Sequence, residues 1–544
     1  MVRKVNWMPG KKLDSCDRAF VLILILCLFA YTYGIWWGLP SFDGWAADEI
    51  VPAKVLEAIA ARFSQGWHYK YPPFHFYLLA LLYSPILLLD SVNLVDVNHL
   101  ETYTVLFYIG RVLSLIFALG LLFLIYRCGQ ELYSKKAALF ATAIAALNCT
   151  FFYYAKLTNL EAPYLFWVVL SFLFYLRILK FQRLQDYWLF SIVAAIAVCT
   201  KDQAYGFYLL TPLFLIWQHH RLLKQQNQTI TLKNTLLHPK IIGSLIIGLT
   251  VFALLHNLLF NLEGFIKHVQ VITLGKGSID PRYSQNLWGQ LKMFRDSLTN
   301  LRFAMGWPLY GICLIGLANH LRHPQKKPLL NAFFVPILSY YLFYICVVWY
   351  SNIRYLIPIA IVLSFFGGQF LANFLTPAKK FFKAKLIFIG AILIYTFAYS
   401  FTLNVLMVQD SRYTVEAWMK QHIPPTAFIL GSGDDKYFPR LEAFNSQTLR
   451  KPTLADLPTL DPDYIILSSG YDIRRFRPNT PEHEFLSQLL AENLGYQLAF
   501  QYKSTPNWYL FNREEVEYRK LEKMRVYSNF DKINPEIKIF QKSR

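Results

Sequence analysis

The strongest constraint on this chain is a series of long apolar runs between Phe20 and Val408, separated by short gaps that alternate between strongly basic and nearly neutral. A helix needs about 17–25 apolar residues to cross a bilayer, and most of the runs meet that length. Eleven spans are expected near residues 19–39, 105–126, 137–153, 161–176, 187–201, 203–218, 241–262, 301–320, 329–350, 354–375 and 386–408. No small-residue cleavage site follows the first run, so it reads as a retained span rather than a cleaved leader.

With the N-terminus inside, the inner segments are 1–18, 127–136, 177–186, 219–240, 321–328 and 376–385. They hold 22 Lys/Arg against 4 Asp/Glu, a net +18 of the chain's +20. Lys and Arg are retained on the cytoplasmic side during insertion, so the asymmetry is a topology signal. It also accounts for the net charge without a nucleic-acid partner. The run 74–89 is kept off the list of spans because it is short and contains Pro85. Were it to cross, every later basic gap would face outward. It reads as a helix lying on, or dipping into, the outer membrane surface. The odd span count then places everything after Gln409 outside.

A content of 55% hydrophobic and 17% aromatic residues excludes an ordinary soluble protein. The texture changes at Gln409. Residues 409–513 read as a small soluble α/β domain, with helices at 414–422 and 481–493 and strands at 427–430 and 464–467. Segments 496–502 and 508–511 read as a closing hairpin. Gly431-Ser432-Gly433 lacks the P-loop pattern and reads as a strand-to-loop turn. Residues 514–544 read as a charged tail and residues 1–408 as the membrane domain. The expected fold is therefore mainly α and polytopic, with outer-surface helices and a small α/β domain. The seven cysteines show no metal-type pairing and read as packing residues.

The charge map gathers unusual residues on the outer face: Asp48 and Glu49, Lys70 and Tyr71 before Pro72-Pro73, Glu161, Lys201, Arg282, and Arg354-Tyr355. Charges this close to hydrocarbon are costly and are paired, solvated or functional. Singly, each has a plain explanation. Asp48 could cap a following helix, Glu161 could favour a helix start through its dipole, and Arg354 could snorkel outward. Together on one face they suit one chemistry. A carboxylate takes the proton of a hydroxyl or amine acceptor, a role for Asp48. Lys70, Lys201, Arg282 and Arg354 can stabilise the charge on a departing lipid phosphate. Glu161 can hold a sugar hydroxyl, a cation or the acceptor. Glu49, Tyr71 and Tyr355 stand beside these charges and are expected to contact substrate. No His/Asp/Glu spacing marks a metal site, and no cofactor is called for. A divalent cation at Asp48 or Glu161 stays open.

The order Asp48-Glu49, Tyr71-Pro72-Pro73, Glu161-Ala162-Pro163 and Arg354-Tyr355-Leu356-Ile357-Pro358 resembles the protein O-mannosyltransferase superfamily. This superfamily includes bacterial transferases that move aminoarabinose from undecaprenyl phosphate to lipid A. Ser411-Arg412-Tyr413 through Pro424-Pro425 is similar to the segment after the last span in bacterial relatives. The resemblance implies a C-type glycosyltransferase fold (GT-C) and an inverting transfer from a polyprenyl-phosphate sugar to an extracytoplasmic protein, lipid or glycan. It implies residence in the inner (plasma) membrane with the site and C-terminal domain in the periplasm. Its catalytic acidic residue in the first loop falls on Asp48, and its first-loop basic residue beside the Pro-Pro falls on Lys70. Its second acid falls on Glu161, where Asp is more usual. No large luminal insertion is present, so a bacterial-type enzyme is expected. The competing class is a membrane transporter or lipid-linked-sugar flippase, which would favour charges near the midplane and internal repeats.

Overall fold

The computed structural model describes residues 14–226, 229–274, 283–323, 328–376, 381–473, 476–506, 508–511, 526 and 528–543. The chain opens with α1 (Ser15–Thr32), α2 (Pro52–Ala60) and α3 (Phe74–Ser91). The 33-residue α4 (Leu100–Leu132) follows, with α5 (Lys135–Ala146), α6 (Cys149–Tyr154), α7 (Glu161–Phe181) and α8 (Leu184–Thr200). Next come a 3-10 segment (Asp202–Tyr208), α9 (Thr211–Gln226), α10 (Leu232–Leu236), α11 (Pro239–Leu255), α12 (Leu262–Leu274), α13 (Leu287–Met305) and α14 (Trp307–Arg322). The bundle ends with α15 (Pro328–Ala332), α16 (Phe334–Tyr340), α17 (Cys346–Val348), α18 (Ile357–Phe374) and α19 (Phe382–Val408).

Among the described residues, seven helices are long and apolar enough to cross a membrane, or eight if α13 and α14 count as one bent span. The chain is a multi-pass membrane protein, and the mainly α architecture is as expected. Three expected spans differ locally. The run 137–153 breaks at Leu147–Asn148, where the Asn148 side chain accepts from Thr150 N and restarts the helix. The run 203–218 begins as the 3-10 segment, so only α9 continues it. The run 301–320 folds at Gly306, whose φ of +71° suits glycine; Pro308 starts α14 and the axes meet at 119°. The segment expected on the outer surface is α3, which is itself long and apolar enough to cross.

Small residues set the closest helix contacts, as in membrane bundles generally. A Cβ on Gly368 of α18 would lie 2.6 Å from both the Ala137 carbonyl oxygen and the Ala141 nitrogen of α5. Backbone atoms cannot step aside as side-chain tips do. Gly368→Ala is therefore expected to lower stability by about 1–3 kcal/mol through overpacking. Thermal unfolding of the detergent-solubilised protein checks this, and an unchanged midpoint would refute the close contact.

After α19 the chain forms α20 (Ser411–His422), then β1 (Ile429–Ser432), β2 (Ser446–Leu449), α21 (Leu457–Leu460), β3 (Tyr464–Ser468), α22 (Pro481–Leu490), β4 (Tyr496–Tyr502) and β5 (Ile537–Lys542). The sheet order is β2-β1-β3-β5-β4, parallel through the first three strands and antiparallel at β5 and β4. Both faces are covered, so every residue of β1 and β3 is buried. Val415 and Met419 pack on one face with Ile429 and Ile466, and Phe485 and Leu489 on the other with Leu430 and Ile465.

The closing strand corrects the expected hairpin. β4 pairs with β5 across the register Tyr496↔Lys542 to Tyr502↔Ile537, not with 508–511. The apolar residues of β5 are buried between β3 and β4. Phe511 instead packs into the helical bundle, its ring 4.7 Å from Tyr399 and 5.0 Å from Phe303. Residues expected as tail thus complete the sheet.

The sheet domain docks on the loop after α1. Trp37 Nε1 donates to Asp410 at 3.0 Å, Arg440 donates to the Leu39 carbonyl at 2.7 Å, and Phe42 N donates to Glu442 at 3.2 Å. This places the sheet at the same end of the bundle as the first loop.

Candidate active site

The site is assembled where four loops meet at that end. Residues 46–50 are stitched to the loop before α7: Ile50 N donates to the Thr158 carbonyl at 2.7 Å, and Asn159 Nδ2 donates to the Asp48 carbonyl at 2.9 Å. Asn159 Oδ1 also accepts from Glu161 N at 2.9 Å, fixing the start of α7. Lys201 ends α8 in an extended conformation that turns the chain out of the helix. Asn352 accepts from Arg354 N at 3.1 Å and begins the one-turn segment Ile353–Leu356 that leads into α18.

These elements bring together four charges far apart in sequence. Arg354 Nη1 donates to Asp48 Oδ2 at 2.5 Å, and its Nε lies 3.7 Å from Glu161 Oε1. Lys201 Nζ pairs with Glu161 Oε2. The Tyr355 hydroxyl accepts from Arg354 Nη2 at 3.3 Å, and the Lys201 ammonium lies 5.0 Å from the Tyr164 ring and 5.9 Å from that of Tyr355. Glu161 is 1% exposed and Asp48 is 24% exposed, so Asp48 is the carboxylate a substrate can reach. Two polar atoms within the cluster have no hydrogen-bond partner, Glu161 Oε1 and Arg354 Nε. Buried polar groups are rarely left so, and a hydroxyl that donates to Glu161 Oε1 and accepts from Arg354 Nε would satisfy both.

Asp48 does not cap a helix: α2 starts after Val51 and has no side-chain cap bond. Burial would raise its carboxyl pKa. The charge of Arg354, then that of Lys532, the hydrogen bond from Asn529 and the charge of Lys201 outweigh burial and hold it well below the usual carboxylate range. Tyr71 lies within reach of the same charges. Burial, and then the negative charge of Asp48, raise its phenol above the ordinary value. Lys70 is exposed beside it, its ammonium 5.7 Å from the Tyr71 ring. Arg282 lies outside the described residues.

Glu49 is corrected. It was expected at the substrate, but it forms a fully buried pair with Arg111, Nε to Oε1 and Nη2 to Oε2 both at 2.8 Å. Thr158 N donates to Oε1 at 2.9 Å, and Arg111 Nη1 donates to the Ile35 and Trp37 carbonyls at 2.5 and 3.0 Å. A carboxylate enclosed in this way braces the loop carrying Asp48. Alternating exposure along a turn explains the split, since neighbours on one loop face opposite ways. Asp48 and Glu161, the two positions left open for a divalent cation, are each engaged by a cationic side chain.

The sequence reading missed the contribution of the chain's last segment. Asn529 Nδ2 donates to Asp48 Oδ2 and lies 3.4 Å from the Tyr154 hydroxyl. Lys532 Nζ donates to Asn529 Oδ1 at 3.1 Å. Phe530 anchors the segment, 5.5 Å from the Tyr153 ring. No motif marks these residues, which lie in a stretch that reads as a polar tail. Counted together, Arg354, Lys201 and Lys532 face two carboxylates, a cluster one anion short of neutrality.

Residues 105–256 match the family model described as dolichyl-phosphate-mannose-protein mannosyltransferase, in agreement with the resemblance carried by the motifs. The matched stretch runs from α4 to the end of α11 and includes Glu161 and Lys201. Among solved structures, ArnT from Cupriavidus metallidurans is similar in its undecaprenyl-phosphate-bound form, at 11% identity and TM-score 0.49 over 95% of this chain and 97% of that one. Its apo form gives 12% identity and TM-score 0.49 over 97% and 98%. The oligosaccharyltransferase AglB from Archaeoglobus fulgidus, in complex with an inhibitory peptide and a dolichol-phosphate, gives 12% and 0.45 over 90% and 73%. Comparison by sequence with curated proteins finds no match.

Proposed function

We propose that this chain is a membrane glycosyltransferase that moves a sugar from a polyprenyl-phosphate carrier to an acceptor outside the cytoplasm. The observation that carries the reading is the cluster of Asp48, Glu161, Lys201 and Arg354, with surplus positive charge and unpartnered polar atoms on Glu161 and Arg354.

In the proposed reaction the acceptor oxygen or nitrogen attacks the anomeric carbon while Asp48 takes its proton. The bond between that carbon and the phosphate oxygen breaks, and its electron pair leaves on the lipid phosphate. Arg354 and Lys201 stabilise the charge that develops there, joined by Lys70 from the loop carrying Tyr71; Arg282, outside the described residues, is a further candidate for that role. One displacement inverts the anomeric centre. Tyr71 and Tyr355 line the sugar, and Glu161 orients Lys201 and receives a sugar hydroxyl at its free oxygen. The basic inner gaps support an inner (plasma) membrane topology with the site and the sheet domain on the outer, periplasmic side.

Native mass spectrometry tests the donor class. Polyprenyl phosphate should bind to the purified protein, polyprenol should not, and Arg354→Ala should weaken the phosphate complex at least about tenfold, as expected for loss of a charge-assisted contact. Equal retention of the alcohol and the phosphate would refute the assignment. Cysteines introduced at Asn98 and in the sheet domain should both react with an impermeant thiol reagent from outside. Labelling from opposite sides would show that α3 crosses the membrane.

A further inference from the structure

A second cluster lies beside the site and is not used by the proposed transfer. Asp202 begins the 3-10 segment directly after Lys201, His256 ends α11 and His268 lies in α12. One ligand atom from each falls within 4.8 Å of the others. His268 Nε2 is 3.0 Å from Asp202 Oδ1, and its Nδ1 is 3.2 Å from the Tyr69 carbonyl. His256 is 5% exposed, its ring is 5.3 Å from that of His268, and its Nδ1 is buried with no hydrogen-bond partner. His68 is the next ring out, 6.2 Å from His268. His68, His256, His268 and Asn261 line a cavity of about 20 Å³, room for one water or one ion.

We infer that Asp202, His256 and His268 form a binding site for a divalent transition-metal ion of the zinc class. The donor set is two imidazoles and a carboxylate, which suits zinc and leaves a fourth position open to water or His68. The surroundings also match. A metal-bound imidazole usually donates its other N–H to a carbonyl or carboxylate, fixing the ring, and His268 Nδ1 faces the Tyr69 carbonyl in that way. With both ring nitrogens facing oxygen acceptors, a neutral His268 satisfies only one. An imidazolium would serve both acceptors but would leave the buried His256 Nδ1 without a partner, whereas a cation held by Asp202 and the two histidines serves all of them. The ion clasps α11 and α12 to the residue after Lys201, and through Tyr69 to the loop carrying Lys70 and Tyr71. Sequence spacing hides the site because Asp202 is separated from the two histidines by a whole helical hairpin. The inference is independent of the proposed transfer, since it is read from metal content rather than activity.

The test uses the full chain purified without chelator on a histidine-free tag. Elemental analysis should find about one zinc per chain. Asp202→Asn, His256→Gln and His268→Gln should each reduce it to background while eluting as a single species. After chelator treatment, zinc should raise the melting temperature of the wild type and leave that of His256→Gln unmoved. If the variants do not fold, cobalt added to the chelator-treated wild type decides the matter. An intense visible spectrum of four-coordinate cobalt supports the site, whereas a weak hexaaquo-like spectrum overturns it. Wild type without zinc and without a melting shift, or variants with undiminished zinc, also overturn it.

Discussion

Asp48→Asn is expected to slow sugar transfer by about 10²–10⁴-fold, the usual contribution of a general base, with no rise in KM for the donor. The substitution keeps the side-chain shape and removes the negative charge. Arg354 now contacts Asp48 at 2.5 Å and would keep, as its carboxylate partner, the more distant Glu161 oxygen at 3.7 Å. A guanidinium released in this way binds a phosphate at least as well as before. The expected signature is thus a fall in kcat with an equal or lower donor KM, which a merely structural role would not produce. Full activity in a correctly inserted Asp48→Asn protein would remove Asp48 from the base role. The pH profile gives a second check. The pKa of Asp48 is lowered, so its charge is lost only as pH falls through a value beneath the ordinary range near 3.9. Acidification from neutrality to about pH 5 leaves Asp48 ionised on that scale. Any loss of kcat/KM in that interval must come from another group.

Arg111→Met is expected to cost about 3–5 kcal/mol of stability, the usual penalty for removing one partner of a buried ion pair. Arg111 and Glu49 both have fully buried side chains, and the guanidinium makes four hydrogen bonds, two to Glu49 and two to the Ile35 and Trp37 carbonyls. Its loss leaves Thr158 N donating to the Glu49 carboxylate without the guanidinium's charge, and frees two carbonyls. Adding Glu49→Gln should recover part of the loss, because a neutral amide is less costly to bury than an unpaired charge. Thermal or denaturant unfolding in detergent measures both variants. A near-native midpoint for Arg111→Met would show that the pair contributes little. Asp48 is the next residue along, so the same variant is also expected to slow transfer.

The helical bundle was legible because its cause is compositional. Apolar length and the side preference of Lys and Arg act on segments one at a time. Asp48, Glu161, Lys201 and Arg354 were legible for a related reason: charges at span ends need partners, and the charge map confined all four to one face. Glu49 was misread because adjacency in sequence says nothing about which way a loop residue turns; only the position of Arg111 in α4 decides that. Asn529 and Lys532 were missed because Asp48 lies hundreds of residues away and their own segment is polar, and β5 because it is a short run within a charged stretch. The interruptions at Leu147 and Gly306 were also missed. Hydrophobicity registers total length, whereas a helix break depends on one or two residues.

The hydrogen bond from Asn529 to Asp48 spans 481 residues of chain. During synthesis every helix of the bundle leaves the ribosome before that bond can form, and so does most of the sheet. The contacts around Asp48 therefore stay incomplete until the segment with Asn529 has reached that end of the bundle and β5 has entered between β3 and β4. A nascent chain in the membrane holds its arginine, lysine and carboxylates without the amide that contacts Asp48. Insertion and completion of the Asp48 cluster are thus separated in time, and a message cut short before residue 529 would yield an inserted bundle whose Asp48 lacks that contact.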